Sequence, residues 1–358
     1  MDFPELKIKD LTAKVPIIQG GMGVGISLSG LSSAVANQGG IGVISAAMIG
    51  MDEPDVVKNP DAANIRALQK EIRKAKEMTS GILGVNIMVA LTNFTELVKT
   101  SIQEGVDIIF SGAGLPFDLP KYLQKESRTK LVPIISSARA ARVLCKKWLS
   151  RFNYLPDGFV VEGPLAGGHL GFKEEQIDDP VYKLENLVKE VIEEVKPFEQ
   201  EHEQDIPVIA AGGIFDGEDI CRFLRLGASG VQLGTRFVAT HECDADMAFK
   251  QAFIDSKEED LTIIKSPVGM PGRALRNRFL SDVEKGGRKP FKCVYHCIVT
   301  CDYQKTPYCI ASALASAKKG RMNRGFVFAG KTAPRVKELL SVKELIDSLR
   351  NEYIEACT

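Results

Sequence analysis

Pro207-Val-Ile-Ala-Ala-Gly212-Gly213-Ile214, followed one unit later by Gly230-Val-Gln-Leu-Gly234-Thr235-Arg236, is the stretch that decides the fold of this chain. Each segment reads as a short strand buried on both faces, because apolar residues run through it without a polar alternation of period two. Each breaks at glycine just before a helical pattern, 216–226 after the first and 245 onward after the second. Glycine lets backbone N–H groups approach a ligand closely, and a helix N-terminus behind it adds positive dipole. Gly212, Gly213, Gly234 and Thr235 are therefore expected to form an anion site from two neighbouring strand ends.

Outward from these segments, strand-like runs alternate with amphipathic runs from the start to about residue 255. Eight strands are expected, at 15–19, 41–45, 82–88, 107–111, 131–136, 158–161, 208–211 and 230–233. Helical patterns fall between them at 28–37, 62–78, 94–103, 138–149, 182–195 and 218–226. Eight strand-then-helix repeats rich in Val and Ile predict an α/β fold, a (β/α)8 TIM barrel, in which the loops after the last two strands make a phosphate site. An open doubly wound sheet is the alternative. Residues 51–79 form a long connection with a charged helix. After about 260 the alternation stops: a turn-rich loop (265–273) leads into a cysteine-bearing segment, and an amphipathic helix at 341–353 closes the chain. The expected division is a barrel over 1–260, a lid or small segment over 261–330 and a C-terminal helix over 331–358 that closes on the barrel.

Composition narrows the function. With 46 basic and 46 acidic residues the formal net charge is zero, which argues against nucleic acid or an anionic membrane surface as a partner held by bulk charge. No apolar run approaches the roughly 18–20 residues a membrane span needs, and the N-terminus carries no apolar signal segment. The 8 cysteines in a chain without a secretion signal are expected to be reduced thiols in a cytoplasmic protein.

Four segments carry chemistry. The first strand ends in Gln19-Gly20-Gly21-Met22-Gly23-Val-Gly25, a loop suited to laying backbone against a flat ring with Met22 beside it. Ile26 and Leu28 stand where a dinucleotide fingerprint would need glycine, so that motif fails. Asn86 interrupts the apolar third strand, and its amide needs a partner, from a ligand or from the protein. The sixth strand runs into Glu162-Gly163-Pro164-Leu-Ala166-Gly167-Gly168-His169, where a scarce residue, one of 4 histidines, sits on a glycine-rich loop at a strand end. An imidazole titrating near neutrality there is expected to handle a proton. His202 lies in a charged run and reads as surface; His241 and His296 receive no role.

Cys293, Cys297 and Cys301 recur every four residues, so a helix would align them on one face, with Cys309 beyond. Neither a zinc nor a ferredoxin spacing is present, so they read as small buried residues and no metal site is expected. Gly325-Phe-Val-Phe-Ala-Gly330-Lys331-Thr332 formally matches a Walker A loop, but no buried strand precedes it and Pro334 follows at once. Phe-Val-Phe reads as a strand instead, and an NTPase is excluded.

Taken together these residues resemble the nitronate monooxygenase family, formerly 2-nitropropane dioxygenase, and its relatives the FMN-containing enoyl-ACP reductases of the FabK type. The matching elements are Pro16-Ile-Ile-Gln-Gly-Gly-Met22, Gly39-Gly-Ile-Gly-Val43, Val85-Asn86, Glu162-Gly163 with Ala166-Gly-Gly-His169, Ala210-Ala-Gly-Gly-Ile214 and Gln232-Leu-Gly-Thr-Arg236, with a looser match at Phe328-Ala-Gly330. The resemblance implies a flavoprotein with FMN held non-covalently at the barrel mouth. Gly21 and Met22 would line the ring and Asn86 would hydrogen-bond it. Gly212, Gly213, Gly234 and Thr235 would hold the phosphate, and His169 would be the catalytic proton handler. Glu162, Gly167, Gly168 and Gln232 complete the expected cofactor contacts. The expected partner is a small-molecule substrate, either a nitronate or an enoyl thioester with NADH; a homodimer is left open. One departure is that Pro164-Leu165 occupies the stretch where members commonly carry an acid before Ala-Gly-Gly-His.

Overall fold

The computed structural model describes residues 2–287 and 292–358. The chain opens with an antiparallel hairpin of β1 (Leu6–Ile8) and β2 (Leu11–Ala13). The barrel strands follow as β3 (Ile17–Gln19), β4 (Gly42–Ser45), β5 (Leu83–Met88), β6 (Ile108–Gly112), β7 (Lys130–Ile135) and β8 (Phe159–Glu162). After the short β9 (Gly168–His169), which lies outside the barrel, come β10 (Val208–Ala211) and β11 (Gly230–Leu233). The eight barrel strands are parallel, in the order β3-β11-β10-β8-β7-β6-β5-β4. The ends of that row meet through a parallel bridge between Ile18 and Ile41, where the Gln19 N–H donates to the Ile41 carbonyl at 2.9 Å. The ring therefore closes, as the alternation of strand and helix predicts, and the open-sheet alternative falls away.

Helices α1 (Ser29–Asn37), α2 (Pro60–Met78), α3 (Phe94–Gln103), α4 (Ala138–Phe152), α5 (Leu184–His202) and α6 (Gly217–Arg225) follow barrel strands and bury their apolar faces outside the ring. Inside it, Ile18, Val43, Phe110, Val132, Val160 and Ile209 pack together with Leu6 and Ile8 of the hairpin. The hairpin thus stops the N-terminal end of the barrel and leaves the C-terminal end as the open mouth. Alternating Leu/Ile and Lys at 6–9 is too short a signal to read as a strand without that partner.

After β11 the chain adds elements that the strand–helix alternation does not mark. A short α7 (Thr235–Val238) begins directly after Gly234, before α8 (Met247–Ile254). Residues from 261 on contribute β12 (Leu261–Lys265), β13 (Pro271–Leu275), α9 (Arg278–Glu284), α10 (Ile310–Lys318) and β14 (Val327–Phe328). β12, β13 and β14 form an antiparallel sheet, and β13 also pairs with β9, in the register Gly272↔His169 and Arg273↔Gly168. The last helix, α11 (Val342–Cys357), starts with a capping box in which Ser341 and Glu344 satisfy each other's backbone N–H groups.

Two cysteine expectations are corrected. Cys293, Cys297 and Cys301 are not on a helix: Val299 N–H donates to the Ala90 carbonyl at 2.9 Å, Thr92 N–H to the Cys297 carbonyl at 3.2 Å, and Leu91 bridges Ile298. The run Val294, Tyr295, Ile298, Val299, Thr300 is β-branched and aromatic, so extended pairing to the loop after β5 wins over a weak helix former. The thiols are also not all reduced, since Cys221 of α6 and Cys357 of α11 form a disulfide with Cα atoms 6.0 Å apart. Residues 136 apart carried no spacing signal. No helix among the described residues is long and apolar enough to cross a membrane.

Candidate active site

Parallel strands all end on one side, so the loops after β3, β5, β8, β10 and β11 converge at the barrel mouth. There they enclose a cavity of about 280 Å³. Gly21, Met22, Asn86, Glu162, Gly167, Gly168, His169, Gly212, Gly213, Gln232, Gly234 and Thr235 all line it. Every site residue expected from the sequence is thus brought to one place.

Two backbone features shape the walls. A Cβ built at Gly21 would overlap the Cβ of Asn86, so only glycine lets the loop after β3 lie against the end of β5. Gly212 and Gly213 have φ of +94° and +89°, left-handed values that a side chain would strain, and a Cβ at Gly213 would sit 2.9 Å from the Leu165 Cβ. Asp216 caps α6 by accepting the Asp219 N–H at 2.9 Å, which fixes where that glycine corner leaves the strand. The corner after β11 is completed from a distant segment: the Gly330 N–H donates to Thr235 Oγ1 at 3.2 Å. Gly330 and Thr332, rejected above as a phosphate loop of a nucleotide fold, line this cavity as well.

His169 projects from β9. Its Nε2 lies 2.7 Å from Ser266 Oγ, which also accepts the Val268 N–H at 3.2 Å, and its ring meets Phe328 edge-on with centroids 5.0 Å apart. Burial lowers its pKa from 6.5 to about 4. This corrects the near-neutral titration expected: without a facing carboxylate, desolvation disfavours the imidazolium and the ring is neutral at physiological pH. Glu162, at the end of β8 opposite Ala211, behaves in the opposite sense, and burial raises its carboxyl from 4.5 to about 7. The mouth therefore holds a neutral imidazole and a carboxyl able to keep or release a proton near neutrality.

Sequence reading missed the group that holds the His169 loop. The buried Arg273 guanidinium on β13 donates through Nη1 to the carbonyls of Pro164 at 2.5 Å and Ala166 at 2.9 Å. Burial lowers its pKa, yet guanidinium stays protonated across the physiological range. Two carbonyl acceptors offset part of the cost of enclosing that charge. An arginine flanked by Gly272 and Ala274 in a turn-rich segment carries no sequence signal for this role. Ser266 and Phe328 escaped for the same reason: they reach His169 only through the pairing of β9 with β13.

A family model described as nitronate monooxygenase matches residues 5–352. A (3aS,4S,5R,7aS)-5-hydroxy-7a-methyl-1-oxo-octahydro-1H-indene-4-carboxyl-CoA dehydrogenase of Mycobacterium tuberculosis is 31% identical over 273 residues, 76% of this chain and 66% of that protein. A probable nitronate monooxygenase of Staphylococcus aureus is 28% identical over 311 residues, 77% of this chain and 79% of that one. Among solved structures, FabK from Thermotoga maritima superposes with a TM-score of 0.70 at 28% identity, covering 95% of this chain and 93% of its own. Nitroalkane oxidase from Streptomyces ansochromogenes, with a TM-score of 0.72 at 24% identity over 96% of both chains, shares the fold.

Proposed function

We propose, for a chain that belongs to the nitronate monooxygenase family and is an oxidoreductase, that it oxidises alkyl nitronates with O2 and holds FMN in the cavity at the barrel mouth. The observation that carries this reading is the convergence of His169, Glu162 and the glycine corners on one cavity. The residues present fit the cofactor: Gly21 leaves open wall where any Cβ would strike Asn86, and the left-handed Gly212–Gly213 corner keeps side chains away from the opposite end. FMN, when bound, supplies the exchange of electrons between substrate and oxygen.

The chain's own groups do the rest. Backbone N–H groups at Gly212, Gly213 and Gly234, with the Thr235 hydroxyl, would hold the phosphate, and Asn86 and Gln232 would meet polar edges of the ring. Met22 packs beside Gly234, its Sδ 3.5 Å from where a Cβ there would lie, and narrows the space for the ring. A neutral His169, oriented by Ser266, leaves the resting cavity free of its charge and offers a ring nitrogen that becomes imidazolium when it accepts a proton. Arg273 holds the loop that carries that ring through the carbonyls of Pro164 and Ala166, and the apolar Phe328 and Ile134 limit water. A cytoplasmic location accompanies this reading, and cell fractionation tests it.

Purified protein should be yellow and should consume O2 with propionate 3-nitronate or an alkyl nitronate. Absence of O2 uptake with every nitronate overturns the assignment. The likeness to FabK over 95% of the chain favours a second reading, NADH-dependent reduction of an enoyl thioester with His169 assisting protonation. Rapid anaerobic bleaching of the flavin by NADH would select it.

A further inference from the structure

We propose that a second cavity, separate from the one at the barrel mouth, binds a nucleoside phosphate. The inference goes beyond the nitronate reading and does not depend on it. The cavity measures about 340 Å³, and its lining includes Phe279 of α9, Ser312 and Ser316 of α10, and Tyr295, Tyr308 and Arg324 from the segments around them. A space of this size is in the range that small ligands occupy.

Its walls are tied to one another. Asn277 caps α9 by accepting the Leu280 N–H at 3.0 Å, while its amide donates to the carbonyls of Met322 at 3.1 Å and Gly325 at 2.8 Å. The turn that carries Arg324 is thereby fixed to α9. That turn also lies directly on α10: a Cβ at Gly325 would overlap the Ala313 carbonyl, and the Arg321 N–H donates to the Ser316 carbonyl at 2.9 Å. Helix α10 separates the two cavities. Ser312, Ala313 and Ser316 share the face toward this one, whereas Ala311 and Ala315 pack with Val24, and Leu314 lines the barrel mouth.

The lining suits an anion joined to a flat ring. Lys292 and Arg324 bring two positive charges; among the described residues neither has an ion-pair partner, and no carboxylate lines the cavity. Arginine offers a planar fork of donors that matches phosphate. Helix α10 begins at Ile310 with no side-chain cap from Cys309, so N–H groups of its first turn lack a capping partner. Three hydroxyls add to these donors: among the described residues Tyr308, which is 7% exposed, Ser312 and Ser316 make no side-chain hydrogen bond. A buried phenol left unpaired costs free energy that an acceptor on a ligand would recover. The Tyr308 ring meets Phe279 edge-on at 5.3 Å and Phe326 at 5.8 Å, contacts that hold its hydroxyl in place. Tyr295 pairs with no other ring among the described residues, and any base can stack on an aromatic face. An inorganic anion would leave the rings unused, and an acyl chain would leave charges and hydroxyls unpaired. A nucleoside phosphate engages both.

The full chain should be titrated calorimetrically with ADP, adenosine and inorganic phosphate, each with and without excess FMN. ADP should bind once per chain, about tenfold or more tightly than adenosine or phosphate, and with the same affinity whether FMN is present or absent. Arg324→Gln should weaken ADP about fivefold or more, as should Tyr308→Phe, which keeps the ring and loses only the hydroxyl. Arg321→Gln, the same loss of charge outside the cavity, should leave ADP binding unchanged. NADH and coenzyme A carry the same moiety: displacement of ADP by one of them identifies the larger molecule that is held, and displacement by neither leaves the free nucleotide as the ligand. No binding of ADP at millimolar concentration overturns the proposal, as does phosphate binding as tightly as ADP, competition from FMN, or equal losses in Arg321→Gln and Arg324→Gln. Should Tyr308→Phe unfold, by loss of far-UV circular dichroism, the pair of variants on the exposed turn still decides.

Discussion

Replacing Glu162 by glutamine should stabilise the protein in mild alkali and leave it unchanged in acid. In the folded chain burial raises this carboxyl from 4.5 to about 7. Between those values the folded state keeps a proton that the unfolded chain has released, so stability falls as pH rises through the window. The full penalty, about 3 kcal/mol, is in place above about pH 7 and absent below about pH 4.5. His169 acts with the opposite sign. Its pKa is lowered from 6.5 to about 4 by burial, so the unfolded chain takes up the proton first as pH falls. The stabilisation this provides, again about 3 kcal/mol, is present above about pH 6.5 and lost as pH drops towards 4. Over the shared window the two slopes oppose and the wild-type contribution of the site is nearly flat. Glu162→Gln removes one slope and exposes the other, so the variant should gain roughly 3 kcal/mol on the wild type between acid and about pH 8. Urea unfolding followed by far-UV circular dichroism at several pH values reads this directly. Parallel pH profiles for variant and wild type would refute the placement of an ionisable carboxyl in a water-poor mouth.

Further outcomes follow from single contacts. Gly21→Val puts a Cβ into Asn86 and should abolish flavin retention while the far-UV circular dichroism of the barrel persists. Arg273→Met leaves the Pro164 and Ala166 carbonyls without their donor; unfolding stability should drop by about 2–3 kcal/mol and kcat should fall more than KM changes, because the His169 loop loses its anchor. Reducing Cys221–Cys357 releases a closure spanning 136 residues between α6 and α11, and dithiothreitol should lower unfolding stability by about 2–5 kcal/mol with catalysis little altered at low temperature.

The barrel was legible because its signal is repetitive and local. Val208–Ala211 and Gly230–Leu233 fall where the apolar runs put them, as do the ends of α3 and the start of α4. The site was legible for a related reason, since a parallel barrel gathers all strand ends on one side and glycine marks where each must turn. What escaped depends on contacts between distant segments. Ser266 and Arg273 matter only because β13 pairs with β9, and Gly330 matters because its N–H finds Thr235 across 95 residues. The cysteine segment was misread because a spacing of four fits a helix, while its β-branched and aromatic residues found a partner at residues 90–92. The pKa of His169 was misjudged because loop position says nothing of enclosure; β9, Ser266 and Phe328 bury a ring that a glycine-rich loop would otherwise leave wet.

Most directly, apoprotein should be titrated with FMN and with riboflavin, which differ by the phosphate alone, and with Thr235→Val alongside. If the two glycine corners grip that group through charge-assisted N–H and hydroxyl bonds, FMN should bind about 100-fold or more tightly than riboflavin, and the variant should shrink the ratio. Equal affinity for the two flavins in the wild-type protein would contradict a phosphate seat at the ends of β10 and β11.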